Sequence, residues 1–443
     1  MSLRESHQRE FIAARDSTPI AVAAPRTFRR WMTLSLGAIF VLCLGIWFVP
    51  IAWQAFCEQR FRDAIYWEHW ADADTWRQRQ QRFRNAQNSL DDVNQARLQR
   101  SQGQIKEARE SLLRASRRGH SPAKLQREEW ILEAQGGDLS TAEEPLLTDL
   151  ENASDSSVVF AALAEGYLRS GQFAKGELLL TQWLQVEPQN WKAHFLQAQF
   201  FALMERWGPA VEEFRTALRF HPGHAESEFH LAEALLNLRD ALSALPLLCR
   251  SVTRWPDRPL VAVAFGRALT ETGDPSAAVA ALEEWSRRQP QSTTISVALG
   301  EALLACGRLE EVIVLHQTKA RQGCADPELR FQLGTALQRL KRHADAKPHL
   351  EFSLQGRQEL DAVVRLRGDA RQRPGATATQ LKLAELLLKY EQEPEAFLWL
   401  RGILAREPRH RGAHQLIADY YQRTAAWDES RRRLEAEHRQ VVE

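Results

Sequence analysis

The apolar positions of this chain fall into two regimes. Between Trp31 and Trp53 the sequence reads WMTLSLGAIFVLCLGIWFVPIAW, 23 residues without a charge. Beyond residue 89, apolar residues recur instead at the three-and-four spacing of amphipathic helices. The first stretch predicts a transmembrane helix over 31–53, because at 1.5 Å per residue it spans about 35 Å against about 30 Å of hydrocarbon. Trp31, Trp47 and Trp53 stand towards its ends, where indole rings favour the headgroup layer. The exit, Ile51-Ala52-Trp53-Gln54-Ala55-Phe56, lacks the small-residue pattern of a signal-peptide cut, so the span is expected to remain. Arg26, Arg29 and Arg30 precede it closely, whereas Arg60 and Arg62 follow beside Glu58 and Asp63. The positive-inside rule then predicts a cytoplasmic N-terminus and a body outside the cytoplasm. Residues 1–30 are polar, show no apolar period and read as a flexible basic tail.

The second regime is periodic. Pro188, Pro222, Pro256 and Pro290 stand 34 residues apart, each just after a helical pattern. On that ruler units begin at 89, 123, 157, 191, 225, 259, 293 and 327, and after an insertion at 361–376 two more begin at 377 and 411. The eighth place of each unit is small in nine of ten cases, from Ala96 to Ala418, with Trp130 the exception. The twentieth is equally small, with Val312 the exception, so two helices can approach closely there. The twenty-fourth is large and apolar except at His316. Turn residues such as Ser170-Gly171-Gln172, Thr272-Gly273-Asp274 and Cys306-Gly307-Arg308 fall between the two helices.

This period, the small-residue columns, the closing proline and the pairs Phe265-Gly266, Leu299-Gly300 and Leu333-Gly334 resemble the tetratricopeptide repeat over residues 89–443. The expected fold is all-α: a solenoid superhelix of about ten helix-turn-helix repeats, preceded by one transmembrane helix. Residues 54–88, rich in Trp and Arg, are expected to be a helical linker or cap. An eight-repeat block fills 89–360, and 377–443 holds two repeats and a polar C-terminal cap. The insertion 361–376 can be read two ways: the plainer is a long loop or an extension of the preceding helix ended by Pro374-Gly375, and the sharper is a hinge between the blocks.

Composition narrows the chemistry. Lys and Arg number 58 against 57 Asp and Glu, so no global field recruits nucleic acid. The five cysteines form no CxxC pair, and no phosphate loop, HExxH motif or nucleophile elbow occurs. His221 with His224 and His410 with His414 face each other across turns, but without further ligands they read as turn residues. His316 reads as a core histidine. Neither an enzyme, nor a metal, nor a cofactor is expected.

The resemblance implies that the first helix of each unit lines a concave face, with its fifth and ninth places reaching ligand. Carried over, this gives an apolar stripe that includes Phe195, Phe229 and Phe331, edged by Glu165, Glu233 and Glu301 and opposed by Arg97 and Arg267. Such a stripe suits a protein segment with apolar anchors and positive charge. The competing possibility is that the phenylalanines pack between repeats and never meet a ligand. The expected function is a membrane-anchored scaffold for protein–protein interaction in envelope assembly, secretion or membrane-complex maturation. The alternative is a cytoplasmic-facing regulatory adaptor.

Overall fold

A computed structural model of the protein describes residues 52–83, 89–150, 156–321, 324, 326–373, 375–390, 393–424 and 429–442. The tail 1–30 and all but the last two residues of the expected membrane span 31–53 lie outside them. Among the described residues no helix is long and apolar enough to cross a membrane. Every regular element among them is an α-helix.

The first helices of the ten units start at Ser89, Pro122, Ser156, Trp191, Ala225, Pro259, Thr293, Pro327, Thr377 and Arg411. The turn inside each of the first eight hairpins keeps the same beat. Gly103, Gly137, Gly171, Glu205, Arg239, Gly273, Gly307 and Lys341 all have positive φ, between 57° and 93°. A left-handed residue stops the helix because its successor's N–H turns back to a carbonyl of the last turn. Asp274 N donates to Leu269 O at 2.9 Å and Arg342 N to Leu337 O at 2.9 Å. Glycine is the easy residue there, yet three units hold the conformation with Glu, Arg or Lys. The geometry of the hairpin, imposed by packing, outweighs the local preference.

The residue columns explain that packing. Within a unit the eighth place lies under the twenty-fourth. A Cβ on Gly266 would come 2.5 Å from Leu282 Cδ1, and one on Gly334 would come 2.7 Å from Leu350. The small residue is therefore the seat of the large one. Ala164, Ala198, Ala232, Leu180, Leu248 and Leu282 are all fully buried. The column fails at Trp130, which is only half-buried while the adjacent Ile131 is fully buried.

Residues 361–372 continue the second helix of the eighth unit, which runs 30 residues from His343 to Gln372. This long arm carries the last two units back onto the third and fourth. Trp399 lies edge-on to Phe173, ring centroids 5.7 Å apart. Gly402 is so close to the turn of the third unit that a Cβ there would stand 2.2 Å from the Ser170 carbonyl oxygen. Arg367 on the arm forks onto Glu395 at 2.6 and 2.7 Å and reaches Glu205 at 3.1 Å. One buried cluster accordingly joins Leu163, Phe173 and Phe200 to Val363, Trp399 and Ile417. The solenoid closes on itself.

Candidate partner-binding groove

The amino-terminal end of the concave face is already covered. Helix α1 (52–66) and helix α2 (Trp70–Phe83) form a hairpin ahead of the first unit. Phe61, Ala64 and Ala73 bury themselves against Leu98 of the first repeat. Polar contacts follow the same face. Glu58 accepts from Asn94 at 3.3 Å and from Arg97 at 3.3 Å, and Arg97 also donates to Glu128 at 2.6 Å. Burial works against the Glu58 carboxylate, but Arg97, Gln80 and Arg62 outweigh it and hold its pKa below the ordinary range.

The hairpin tip reaches the fourth and fifth units. Tyr66 packs edge-on to Trp191 at 6.0 Å, and Trp67 edge-on to His221 at 5.1 Å. Burial, with Glu187 nearby, pushes the Tyr66 phenol up to about 12. Glu68, itself left-handed at φ 55°, meets His224 Nε2 at 3.1 Å. The tautomer follows from the local structure. His224 caps the helix Ala225–Asn237 by accepting from Ser227 N through Nδ1, so Nε2–H is the donor to Glu68. Burial raises the Glu68 carboxyl, but His224, Lys192 and His221 together bring its pKa below normal. A cavity of about 280 Å³ remains between this hairpin and the concave face, lined by Phe61, Ile65, Arg100, Val158, Ala161 and Lys192 among others.

From the fifth unit onward the concave face is open, and here the expected ligand residues separate. Phe229 is fully buried, enclosed by Trp255 at 6.2 Å and by the guanidinium of Arg258 at 4.8 Å. It is a packing residue and is not offered to a ligand, because the last residues of its own unit close over it. Phe195 is half-buried among Phe214 and His224, and Phe331 is half-buried under Arg357 at 3.7 Å. Glu165 belongs to the covered half, bonded to Gln135 at 2.6 Å and Lys192 at 2.9 Å. In the open half Glu233 accepts from His230 at 2.8 Å. Arg267 turns back to the Leu236 carbonyl at 2.8 Å and to Glu271 at 2.8 Å, which leaves Glu301 without its charge in direct contact. Shielding by the groove walls, then Glu328 and Glu271, raises the Glu301 carboxyl above its ordinary pKa. A carboxylate held at that cost is a good place for a cation to land.

Composition alone signalled the covered half only as a Trp-rich cap. Neither Tyr66-Trp67-Glu68 nor Trp191 stood out, and His221 with His224 read as turn residues rather than as receivers of the hairpin tip. The histidines sit one turn outside the columns that the repeat marks as ligand-facing.

Comparison with known proteins agrees with this architecture. A tetratricopeptide repeat family model matches residues 161–225 and 263–312. No curated protein matches the chain. Among solved structures, a tetratricopeptide repeat protein from Parabacteroides merdae ATCC 43184 shares 13% identity, with 52% of this chain and 98% of that one covered, at a TM-score of 0.42. YrrB, a TPR protein with an unusual peptide-binding site, shares 17% identity over 48% of this chain and 98% of its own, at 0.35. MamA from Desulfovibrio magneticus RS-1 (residues 41 to the end) shares 16% over 46% and 95%, at 0.32. With a family match over residues 161–225 and 263–312, a 34-residue beat in its turns and paired helices stacked through small-residue seats, this chain carries tetratricopeptide repeats in an all-helical architecture.

Proposed function

We propose that the chain is a membrane-anchored scaffold whose open half-groove, from the fifth to the eighth unit, holds a protein segment with apolar anchors and positive charge. The observation that carries the reading is Glu301. Its exposed carboxyl feels the charges of Glu328 and Glu271, and Arg267, the cation that most opposes them, is bonded to Glu271 and the Leu236 carbonyl. Val263, Val297 and Phe331 remain half-buried along the same face and supply the apolar stripe. A basic amphipathic segment satisfies both at once. The anchor is the charge-free stretch 31–53, and the arginines before it favour repeats outside the cytoplasm. Envelope assembly, secretion or maturation of a membrane complex is the setting this combination suits.

A photo-crosslinking residue at position 301, with position 242 as an outward control (Leu242 is 77% exposed), tests the groove in intact cells. One discrete adduct is expected from 301 and none from 242, and Glu233→Lys with Glu301→Lys should abolish it. The same adduct from 242, or one indifferent to charge reversal, overturns the groove. Alkaline carbonate tests the anchor: the full chain is expected to stay with the membrane fraction, and a chain starting at residue 51 to leave it.

A further inference from the structure

We propose that the α1–α2 hairpin is an exchangeable self-ligand: its tip, Tyr66-Trp67-Glu68, fills a docking site on the fourth and fifth units that a partner segment of the same chemistry, adjacent aromatics followed by a carboxylate, takes over. The inference deepens the scaffold reading by naming a second partner class, and it concerns the covered half of the face.

The base and the tip of the hairpin are built differently. At the base Cys57 and Phe61 are fully buried, and Arg77 bonds Asp74 at 2.7 Å and Asp91 at 2.9 Å. At the tip Trp67 keeps 37% of its surface exposed, and the cavity beside Tyr66 and Glu68 shows that the two surfaces do not fill the space between them. Polar groups there are also left over. Arg100 Nε, Trp191 Nε1 and His221 Nδ1 are buried with no hydrogen-bond partner among the described residues, and all three lie around this contact. Each unsatisfied buried group weighs against the closed state. A tip held by two aromatic edges, the His224–Glu68 bond and a hydrogen bond between the Tyr66 hydroxyl and the Trp191 backbone, over unpaired polar atoms, is set to open while the base stays folded.

The receiving surface dictates what replaces it. Trp191 is 1% exposed and presents its ring to Tyr66, His221 and His224 at 4.6–6.0 Å, which forms an aromatic seat. His224 Nε2–H is fixed as a donor by its capping bond, and the charge of Lys192 also favours a carboxylate at the Glu68 position. The seat therefore accepts a carboxylate next to aromatic rings and disfavours a basic segment, the reverse of the open half beyond it.

The test uses the full chain and a fluorescein-labelled peptide of residues 60–72. Two unlatched variants are compared with the parent, Trp67→Ala/Glu68→Gln and the milder Glu68→Gln, each checked for unchanged helix content by circular dichroism. The peptide is expected to bind the double variant at least about tenfold more tightly than the parent, with Glu68→Gln between them. The same peptide carrying Trp67→Ala and Glu68→Gln should gain nothing. Amide exchange of residues 60–70 should quicken in both variants while that of 89–101 does not. Equal binding to parent and variants, or exchange that quickens equally through the first repeat, overturns the proposal. The two readings fail separately. Loss of the 301 adduct on charge reversal without peptide binding leaves the open half-groove and removes the latch, and the converse removes the open half alone.

Discussion

Trp399→Ala is expected to destabilise the protein by about 3–5 kcal/mol and to open the closed superhelix. Trp399 is 2% exposed and stacks edge-on with Phe173, itself 6% exposed, across a joint that brings together residues more than two hundred positions apart. Alanine leaves a cavity at that joint, and neither side can collapse into it without moving a whole hairpin. Because the tryptophan also supports its own block, the loss of stability alone does not report on closure. Gly402→Ala separates the two effects. Its new methyl group faces outward to the Ser170 carbonyl at 2.2 Å, a backbone atom that cannot step aside. It is expected to cost about 1–3 kcal/mol and to push the blocks apart with little loss of helix. Small-angle scattering should show a larger radius of gyration for both variants. A Gly402→Ala protein with unchanged dimensions and unchanged thermal midpoint would mean that the joint does not hold the blocks together.

The difference between this joint and the repeats is a difference in what periodicity can encode. Equivalent places such as Ala164, Ala198 and Ala232 repeat because each seats the large residue of its own unit, and a nearest-neighbour rule is written once per unit. Helix starts, turn positions and column identities were legible for that reason. The contact of residues 169–173 with Trp399 and Gly402 occurs once, so no recurrence announces it. The same applies to the hairpin tip on Trp191 and His224, which pairs residues 156 positions apart through a histidine that also serves as a helix cap. For the insertion, a loop or an extension of the preceding helix is the plainer reading and a hinge the sharper one, and nothing in the sequence separates loop from helix. A helix through Gln372 places Arg367 between Glu395 and Glu205, a geometry that requires knowing where the last units go. Phe229 shows the opposite limit. It occupies a ligand-facing place by register, but Trp255 and Arg258, at the end of its own unit, enclose it, and the segment that leads into the next unit decides exposure within a column.

His316, the one break in the large apolar column, should make the protein acid-sensitive. It is fully buried, and its Nε2 lies 2.8 Å from Gln332 Oε1. Gln332 Nε2 donates to the Val297 carbonyl at 3.1 Å, so its oxygen is the acceptor and His316 carries its proton on Nε2. Nδ1 is buried without a partner. A second proton would place a charge and an unanswered N–H in the core. Burial is thus the main reason the pKa falls from 6.5 to about 4, and the Gln332 contact only partly offsets it. Gly300 gives the pair its room, since a Cβ there would stand 2.3 Å from His316 Nε2 and 2.2 Å from Gln332 Oε1. The unfolded chain takes up this proton first as pH falls. Stability is therefore complete above about pH 6.5 and drains away towards pH 4, by about 3 kcal/mol in all. His316→Leu alone removes the titration but strands the Gln332 oxygen, at a cost of about 1–3 kcal/mol at neutral pH. The double variant His316→Leu/Gln332→Leu removes both polar groups and restores the column. Its urea midpoint is expected to fall less than the parent's between pH 7 and 5. Parallel declines in the two proteins over that interval would show that the histidine contributes nothing to acid sensitivity.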